Sequence, residues 1–354
     1  MAVRPVTVHR RRVRRTLLWG AALFLLVQLG AGVVLDRVGL AIRFPSAARA
    51  LDRLPPDGPE IVCLGSSRFI HGLPERELQQ ALDAALGPGR RATVFNAAVP
   101  AGDPVSSEYM YRALLSAGAR PRCVIVEITP EALNHFNTWL SIHVQRQLTW
   151  ADVPAYFRDL CFARQLVRLL RARFLPLYVH RRELCRAAGN ALSTTGTGAL
   201  AMNPATPLAE LEEALRQTTG VPPSEYTPHG ASLVPDWLRH YHVGGTAAAA
   251  LTRLLQRCQA NGSAVLLVCP PLTDAHQQAY SPAIEAAFQG HIRQLTAQFP
   301  CRFVDFRNRL PVGLFIDNHH LRPEGGERFS ALLAHEVLAP AVRDTWPCDC
   351  WSSR

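Results

Sequence analysis

Between Glu60 and Arg68 the chain reads Glu60-Ile61-Val62-Cys63-Leu64-Gly65-Ser66-Ser67-Arg68, an apolar run that stops at a glycine and two serines. A short run without polar alternation, bounded by a turn signal, is the pattern of a strand buried on both faces, and such strands belong to parallel sheets covered by helices. The pattern recurs at 92–96, 122–128, 264–269 and 302–306. Between these runs lie segments with helical spacing. Residues 74–86 place Leu78, Ala81, Leu82 and Leu86 on one side, 102–116 read as a loop and helix, and 245–261 end at an Asn261-Gly262 stop. Helices are also expected over 282–298 and 324–337. Repeated β-α units joined by right-handed crossovers predict an α/β chain: a three-layer α/β/α sandwich around a parallel five-stranded sheet.

The N-terminus obeys a different rule. Residues 16–35 carry no charge, and Arg4, Arg10, Arg11, Arg12, Arg14 and Arg15 precede them while Asp36 follows. A run of that length at 1.5 Å per residue spans roughly 30 Å of hydrocarbon, and arginines before it keep that end in the cytoplasm. The expectation is a cytoplasmic basic segment over 1–15, a transmembrane helix over 16–35, a connector over 36–57, and everything later outside the cytoplasmic membrane, periplasmic or extracellular. A cleaved signal peptide is the rival reading, with an h-region of only ~7 to 15 residues. The formal charge of +10 is largely this arginine cluster, so no basic groove remains for nucleic acid. The chain has no lysine, which excludes Schiff-base chemistry and a phosphate-loop lysine.

From 131 to 243 the pattern turns helical or irregular, with many arginines and aromatics. An insertion there stands at the rim of the sheet, placed to cap a site, to bind a polymer or partner, or to enlarge the core. Residues 160–175 have amphipathic spacing, and 192–207 read as a loop. Arg164, Arg168, Arg171 and Arg173 are expected on a solvated face, with anionic lipid headgroups as the alternative. Cys63, Cys123 and Cys269 fall inside expected strands and read as small buried hydrophobes, whereas Cys348 and Cys350 near the C-terminus are free to oxidise or bind metal. The main domain is expected to cover 58–340, followed by a tail over 341–354.

Open α/β sheets place ligands at the carboxyl ends of their strands, where Ser66 and Ser67 stand. A rim serine is a nucleophile if a base reaches it. The candidate base is His320, three residues after Asp317 in Asp317-Asn318-His319-His320, a spacing that lets the carboxylate turn back onto the imidazole. Asp317, His319 and His320 lack a fourth partner for a metal, so no metal and no cofactor are expected.

With these blocks in view, the chain resembles the SGNH/GDSL hydrolase superfamily. Gly65-Ser66-Ser67 resembles its first block with serine in place of the usual aspartate, Asn96-Ala97-Ala98-Val99-Pro100-Ala101-Gly102 its second, and Asp317-Asn318-His319-His320 its last. The Gly-Ser-Ser-Arg form is similar to a membrane-anchored branch that includes alginate-type O-acetylation proteins and the D-alanyl transfer protein of teichoic acid. The resemblance covers roughly 58–130 and 245–340. It implies a flavodoxin-like fold of SGNH type, with Ser67 as nucleophile, His320 as base, Asp317 as its orienting acid, and the N-H groups of Ser67 and Gly102 in the oxyanion hole. The family's third block is not found after the third strand, where the chain reads Glu127-Ile128-Thr129-Pro130-Glu131. Asn134, Asn137 and Arg68 are the candidates for its missing donor, with Arg68 and Asn134 assigned to substrate binding. The implied activity is hydrolysis of an acyl ester or O-acyl transfer to a cell-envelope glycan, with a membrane acyltransferase as a possible partner. The other class of reading is a catalytically silent scaffold that binds polysaccharide or that acyltransferase.

Overall fold

The computed structural model describes residues 6–136, 147–162, 166–194 and 234–343. Asn137, Cys348 and Cys350 lie outside the described residues, as do Arg164 and most of the expected loop over 192–207. The chain begins with helix α1 (Val6–Val38), followed by the short α2 (Leu40–Arg43) and α3 (Pro45–Asp52). Strand β1 (Ile61–Leu64) leads into α4 (Ser67–Gly72) and α5 (Glu75–Leu86), then β2 (Val94–Asn96), α6 (Pro104–Ser116) and β3 (Cys123–Glu127). Next come α7 (Val153–Phe162), α8 (Leu166–Phe174), α9 (Pro176–Val179), α10 (Arg181–Thr194) and α11 (Val234–Trp237). The chain returns to the sheet through α12 (Gly245–Ala260), β4 (Ala264–Cys269), α13 (Asp274–Gln277), α14 (Pro282–Gln298) and β5 (Cys301–Asp305), and continues through α15 (Pro323–Leu333) to α16 (Ala339–Arg343).

All strand pairs are parallel, in the order β2-β1-β3-β4-β5. The three central strands are wholly buried, which is why their residues are apolar without alternation. Alternate residues feed two separate cores. Val62, Leu64, Val124 and Val126 meet α3, α6, α12 and α14 on one face. Ile61, Cys63, Cys123 and Ile125 meet α4, α5 and α15 on the other. The described cysteines are free, and burial pushes the Cys63 and Cys123 thiols up, so they serve as packing groups.

Helix starts follow local chemistry. Asp103 caps α6 by accepting from Ser106 N-H at 2.7 Å, with Pro104 at the first helical position. Ser281 and Pro282 do the same for α14. Several boundaries differ from expectation: the second strand is confined to Val94–Asn96, the fifth runs over Cys301–Asp305, the N-terminal helix extends over Val6–Val38, and the last long helix passes from α15 into a π-type turn over Ala334–Leu338.

Within α1, residues Arg12–Arg37 are long and apolar enough to cross a membrane. Most of that stretch exposes its side chains. Burial begins at Gln28 and follows Gln28, Gly32 and Leu35, one face at helical spacing. That face packs against α8 and α9. Here Arg173, expected in solvent, is instead buried: it reaches Asp36 at the end of α1 and donates to the Leu148 carbonyl, while Arg43 approaches Asp36 at 3.4 Å. The part-buried ion pair with Asp36 explains the correction, because helical periodicity cannot reveal a partner 137 residues away.

Candidate active site

Strand β1 ends at Leu64, and the chain turns at Gly65 into α4, whose first residue is Ser67. Ser66 is the N-cap: its hydroxyl oxygen accepts from Arg68 N-H at 3.2 Å, satisfying a donor that the helix leaves open. The same residue is tied to the end of β3. Its N-H donates to Glu127 Oε2 at 2.7 Å and its hydroxyl to Glu127 Oε1 at 2.8 Å. A Cβ on Gly65 would stand 2.6 Å from Glu127 Oε2, so only glycine admits this carboxylate to the turn.

Ser67 is met by His320, 253 residues later in the sequence. The distance from Ser67 Oγ to His320 Nε2 is 2.8 Å, and from His320 Nδ1 to Asp317 Oδ2 it is 2.7 Å. Asp317 Oδ1 accepts two backbone N-H groups, from His319 at 2.8 Å and His320 at 2.7 Å. Ile316 N-H donates to the His320 carbonyl at 2.8 Å, closing the 316–320 loop just before α15. An ionised carboxylate only accepts, so Nδ1 carries the proton and Nε2 presents its lone pair to the Ser67 hydroxyl. All three residues are buried. Burial opposes charge on Asp317, yet His319, His320 and the N-H donors hold its carboxyl well below the usual carboxylate range.

Other imidazoles crowd this relay. The His319 ring lies 4.1 Å from that of His320, and His276 lies 5.5 Å from His319. His71, one turn along α4 from Ser67, lies 5.5 Å from the His320 ring. Burial first, and then proximity to His320, push His71 down to about 4 against the pull of Asp317, so it is neutral at neutral pH. Asp317, His319 and His320 place potential ligand atoms within 4.8 Å of one another. However, Asp317 uses both oxygens on N-H donors and His320 uses both nitrogens, so this donor set fits a proton relay better than a metal.

The expected oxyanion donors are only partly in place. The N-H of Ser67 stands at the first helical position of α4, where no intrahelical carbonyl is available. Gly102 corrects the expectation: its N-H donates to the Val99 carbonyl at 2.9 Å and closes a turn in which Ala101 takes φ 54°. Its glycine identity serves another purpose, since a Cβ there would lie 2.1 Å from the Gly65 carbonyl oxygen. Gly102→Ala keeps the N-H but forces the two loops apart. We expect a stability loss of about 1 to 3 kcal/mol, read by thermal unfolding, as for overpacking of a tight interior. Parental stability in that variant would show that close approach is not why glycine stands there.

Asn134 and Arg68 also depart from their assignment to substrate binding. Asn134 is fully buried; its amide donates to the carbonyls of Trp237 and Arg239, and its oxygen accepts from His242 N-H at 3.1 Å. It pins the returning chain to the end of β3. Arg68 lies behind the site. One guanidinium nitrogen reaches Glu127 at 3.4 Å and Thr129 at 3.2 Å, and the other reaches Glu131 at 2.5 Å. Glu131 also accepts from Tyr280 OH at 2.7 Å, and Tyr280 lies 3.0 Å from His276 Nε2. Burial opposes its charge, but Arg68, His276 and Tyr280 hold its carboxyl well below the usual range, whereas burial raises Glu127 against the pull of Arg68 and Ser66. The segment expected to supply a third donor thus carries the acids of a buried charge network. Sequence reading missed Glu127, Glu131, His276 and Tyr280; the available signal was a glutamate closing the otherwise apolar run Cys123–Glu127.

Beside α4 a cavity of about 530 Å³ is lined by Ile70, Pro74, Ala98 and Pro100, with Arg49 and Arg53 at its α3 side. A scan against protein-family models and a search of curated proteins both return no match to this chain.

Proposed function

We propose that the chain is a membrane-anchored member of the SGNH type that performs serine-dependent acyl-ester chemistry outside the cytoplasm, as an esterase or an O-acyltransferase acting on a cell-surface glycan. The observation that carries this reading is the relay of Ser67, His320 and Asp317 at the carboxyl end of a parallel sheet. The strand order is that of flavodoxin-like sheets, which place ligands at this edge, and this also supports the SGNH type. In the proposed reaction Ser67 Oγ attacks the acyl carbonyl while His320 Nε2 takes its proton. Asp317 stabilises the imidazolium, and the leaving alcohol receives the proton as the acyl-serine forms. Water or a sugar hydroxyl then repeats the sequence in reverse roles, so hydrolysis and transfer share one intermediate.

One observation favours a second reading, a catalytically silent scaffold for polysaccharide or a membrane acyltransferase. The side chain of Asn134 and the N-H of Gly102 are both committed elsewhere, and a lost oxyanion donor costs about 3 to 4 kcal/mol of transition-state stabilisation. Labelling of the full chain with a fluorophosphonate separates the two. The enzyme reading expects a covalent adduct that survives Ser66→Ala and vanishes in Ser67→Ala; an unlabelled parent chain supports the scaffold.

The anchor reading joins the apolar stretch of α1 to the arginines before it, which support a cytoplasmic N-terminus. A phosphatase reporter fused to the C-terminus is expected to be active, as exported phosphatase is. A cytoplasmic reporter at that position active in its place would overturn the topology.

A further inference from the structure

We propose that the outer leaflet of the membrane covers a second surface of this protein, formed by Val167, Phe174, Tyr178 and Trp150 with Arg171 and Arg181 at its rim. The inference rests on the reading of α1 as a membrane anchor and is independent of the acyl chemistry. It starts from where α1 is buried. Before Gln28 the described side chains of α1 are exposed all round, but from Gln28 onward one face meets protein while Leu29, Val33 and Val34 remain exposed on the other. The protein it meets is α8 and α9. Gln28 Oε1 accepts from Leu177 N-H at 3.3 Å, and Gly32 faces the Arg173 carbonyl and the Pro176 ring.

Depth follows from helix geometry. Gln28 lies seven residues before the end of the uncharged run at Leu35, which at 1.5 Å per residue is about 10 Å. Half of the hydrocarbon core is about 15 Å. A helix that spans with Leu35 at the outer boundary therefore carries α9 into the outer leaflet beside it. The polar groups in this contact are matched: Gln28 receives a backbone N-H that α9 leaves open, and Asp36 near the boundary is paired with Arg43 and Arg173.

The outward face has the chemistry of that depth. On α8, Val167, Arg171 and Phe174 recur at helical spacing, and Tyr178 continues the stripe into α9. Val167 is 73% exposed, Tyr178 48%, Trp150 45% and Phe174 42%. The opposite face, with Leu169 and Ala172, is buried against the rest of the protein. Trp150 and Phe174 meet edge to face at 5.8 Å, and the guanidinium groups of Arg171 and Arg181 stand over the Tyr178 ring at 4.9 and 4.4 Å. Aromatic rings with arginines at their edge suit the headgroup boundary, where the rings enter the apolar layer and the guanidinium groups reach lipid phosphate. The occupant is lipid because this stripe continues from a helix whose other exposed residues also face lipid. Two contacts, one spanning and one at the surface, would fix the orientation of the sheet edge that bears Ser67 relative to the membrane.

The test uses the full chain in vesicles of phosphatidylcholine and phosphatidylglycerol that contain doxyl-labelled phosphatidylcholine. Cys161, Cys185, Cys348 and Cys350 are replaced by serine, and an environment-sensitive fluorophore is attached to Val167→Cys or Tyr178→Cys. Leu26→Cys reports on the spanning helix and Gln294→Cys on α14 is the aqueous reference. The expected result is loss of fluorescence at positions 26, 167 and 178, and none at 294. Quenching at 26 with positions 167 and 178 matching 294 would overturn this surface while leaving the anchor intact, and is also what a surface reserved for a protein partner would give. No quenching at 26 would overturn the anchor reading, and this inference with it.

Discussion

Replacing Asp317 by asparagine should leave the fold in place and lower turnover of an acyl ester by about 10⁴-fold, the loss expected when a base is held in the wrong tautomer. The reason lies in the loop. Oδ1 accepts the N-H groups of both His319 and His320, so in the variant the amide oxygen must occupy that position. The amide NH₂ then faces His320 Nδ1, which has to accept rather than donate. The ring proton moves to Nε2, and the atom that received the Ser67 proton becomes a donor. Ester hydrolysis followed together with circular dichroism tests this, with kcat expected to fall more than KM. There is also a sign in pH. A carboxyl held below its unfolded value contributes stability that is present above pH about 4 and is lost as pH falls further, so the parent should lose more stability on acidification than the variant. A variant that unfolds while its folded fraction retains full activity would make Asp317 a structural residue.

The sheet was legible because its strands are buried on both faces. Residues such as Ile61 to Leu64 leave no polar alternation, and the turn chemistry at Gly65-Ser66 marks the end of the strand at the residue level. The edge strand Val94–Asn96 was less legible, since pairing on one side only determines how far it extends. Ser67, Asp317 and His320 could be named from local spacing, but their meeting depends on the register of β1 on β3, of β3 on β4 and of β4 on β5. Donors were harder still. Whether the N-H of Gly102 is free is decided by the turn at Ala101, and whether Asn134 is free by the return of the chain near Trp237. The first partner, Val99, is local, but the turn that brings it to Gly102 depends on the backbone at Ala101, and the second lies 103 residues away. Arg173 shows the same limit from the other side: a charge at helical spacing looks solvated until its distant acid is known.

Arg68→Met should cost about 3 to 5 kcal/mol at neutral pH, the usual consequence of removing one partner from a buried charge network. Two glutamates converge on this guanidinium from the end of β3, and neither has water to replace it: Glu131 is 2% exposed and Glu127 9%. Without Arg68 both carboxyls are disfavoured as anions, and proton uptake relieves them. The pH dependence should therefore invert. In the parent, the depressed Glu131 contributes stability above the unfolded value near 4.3 and loses it as pH falls. In the variant, folded carboxyls raised above that value bind protons more tightly than the unfolded chain, so stability should recover as pH falls towards 5. Urea unfolding at several pH values reads this directly. Because Glu127 also holds Ser66, the residue beside the proposed nucleophile, the folded fraction of the variant should bind an acyl ester with little change in KM and turn it over more slowly. If Arg68 instead contacted substrate, KM would rise while stability and its pH profile stayed parental, and the charge network would no longer be the reason Ser67 stands where His320 can reach it.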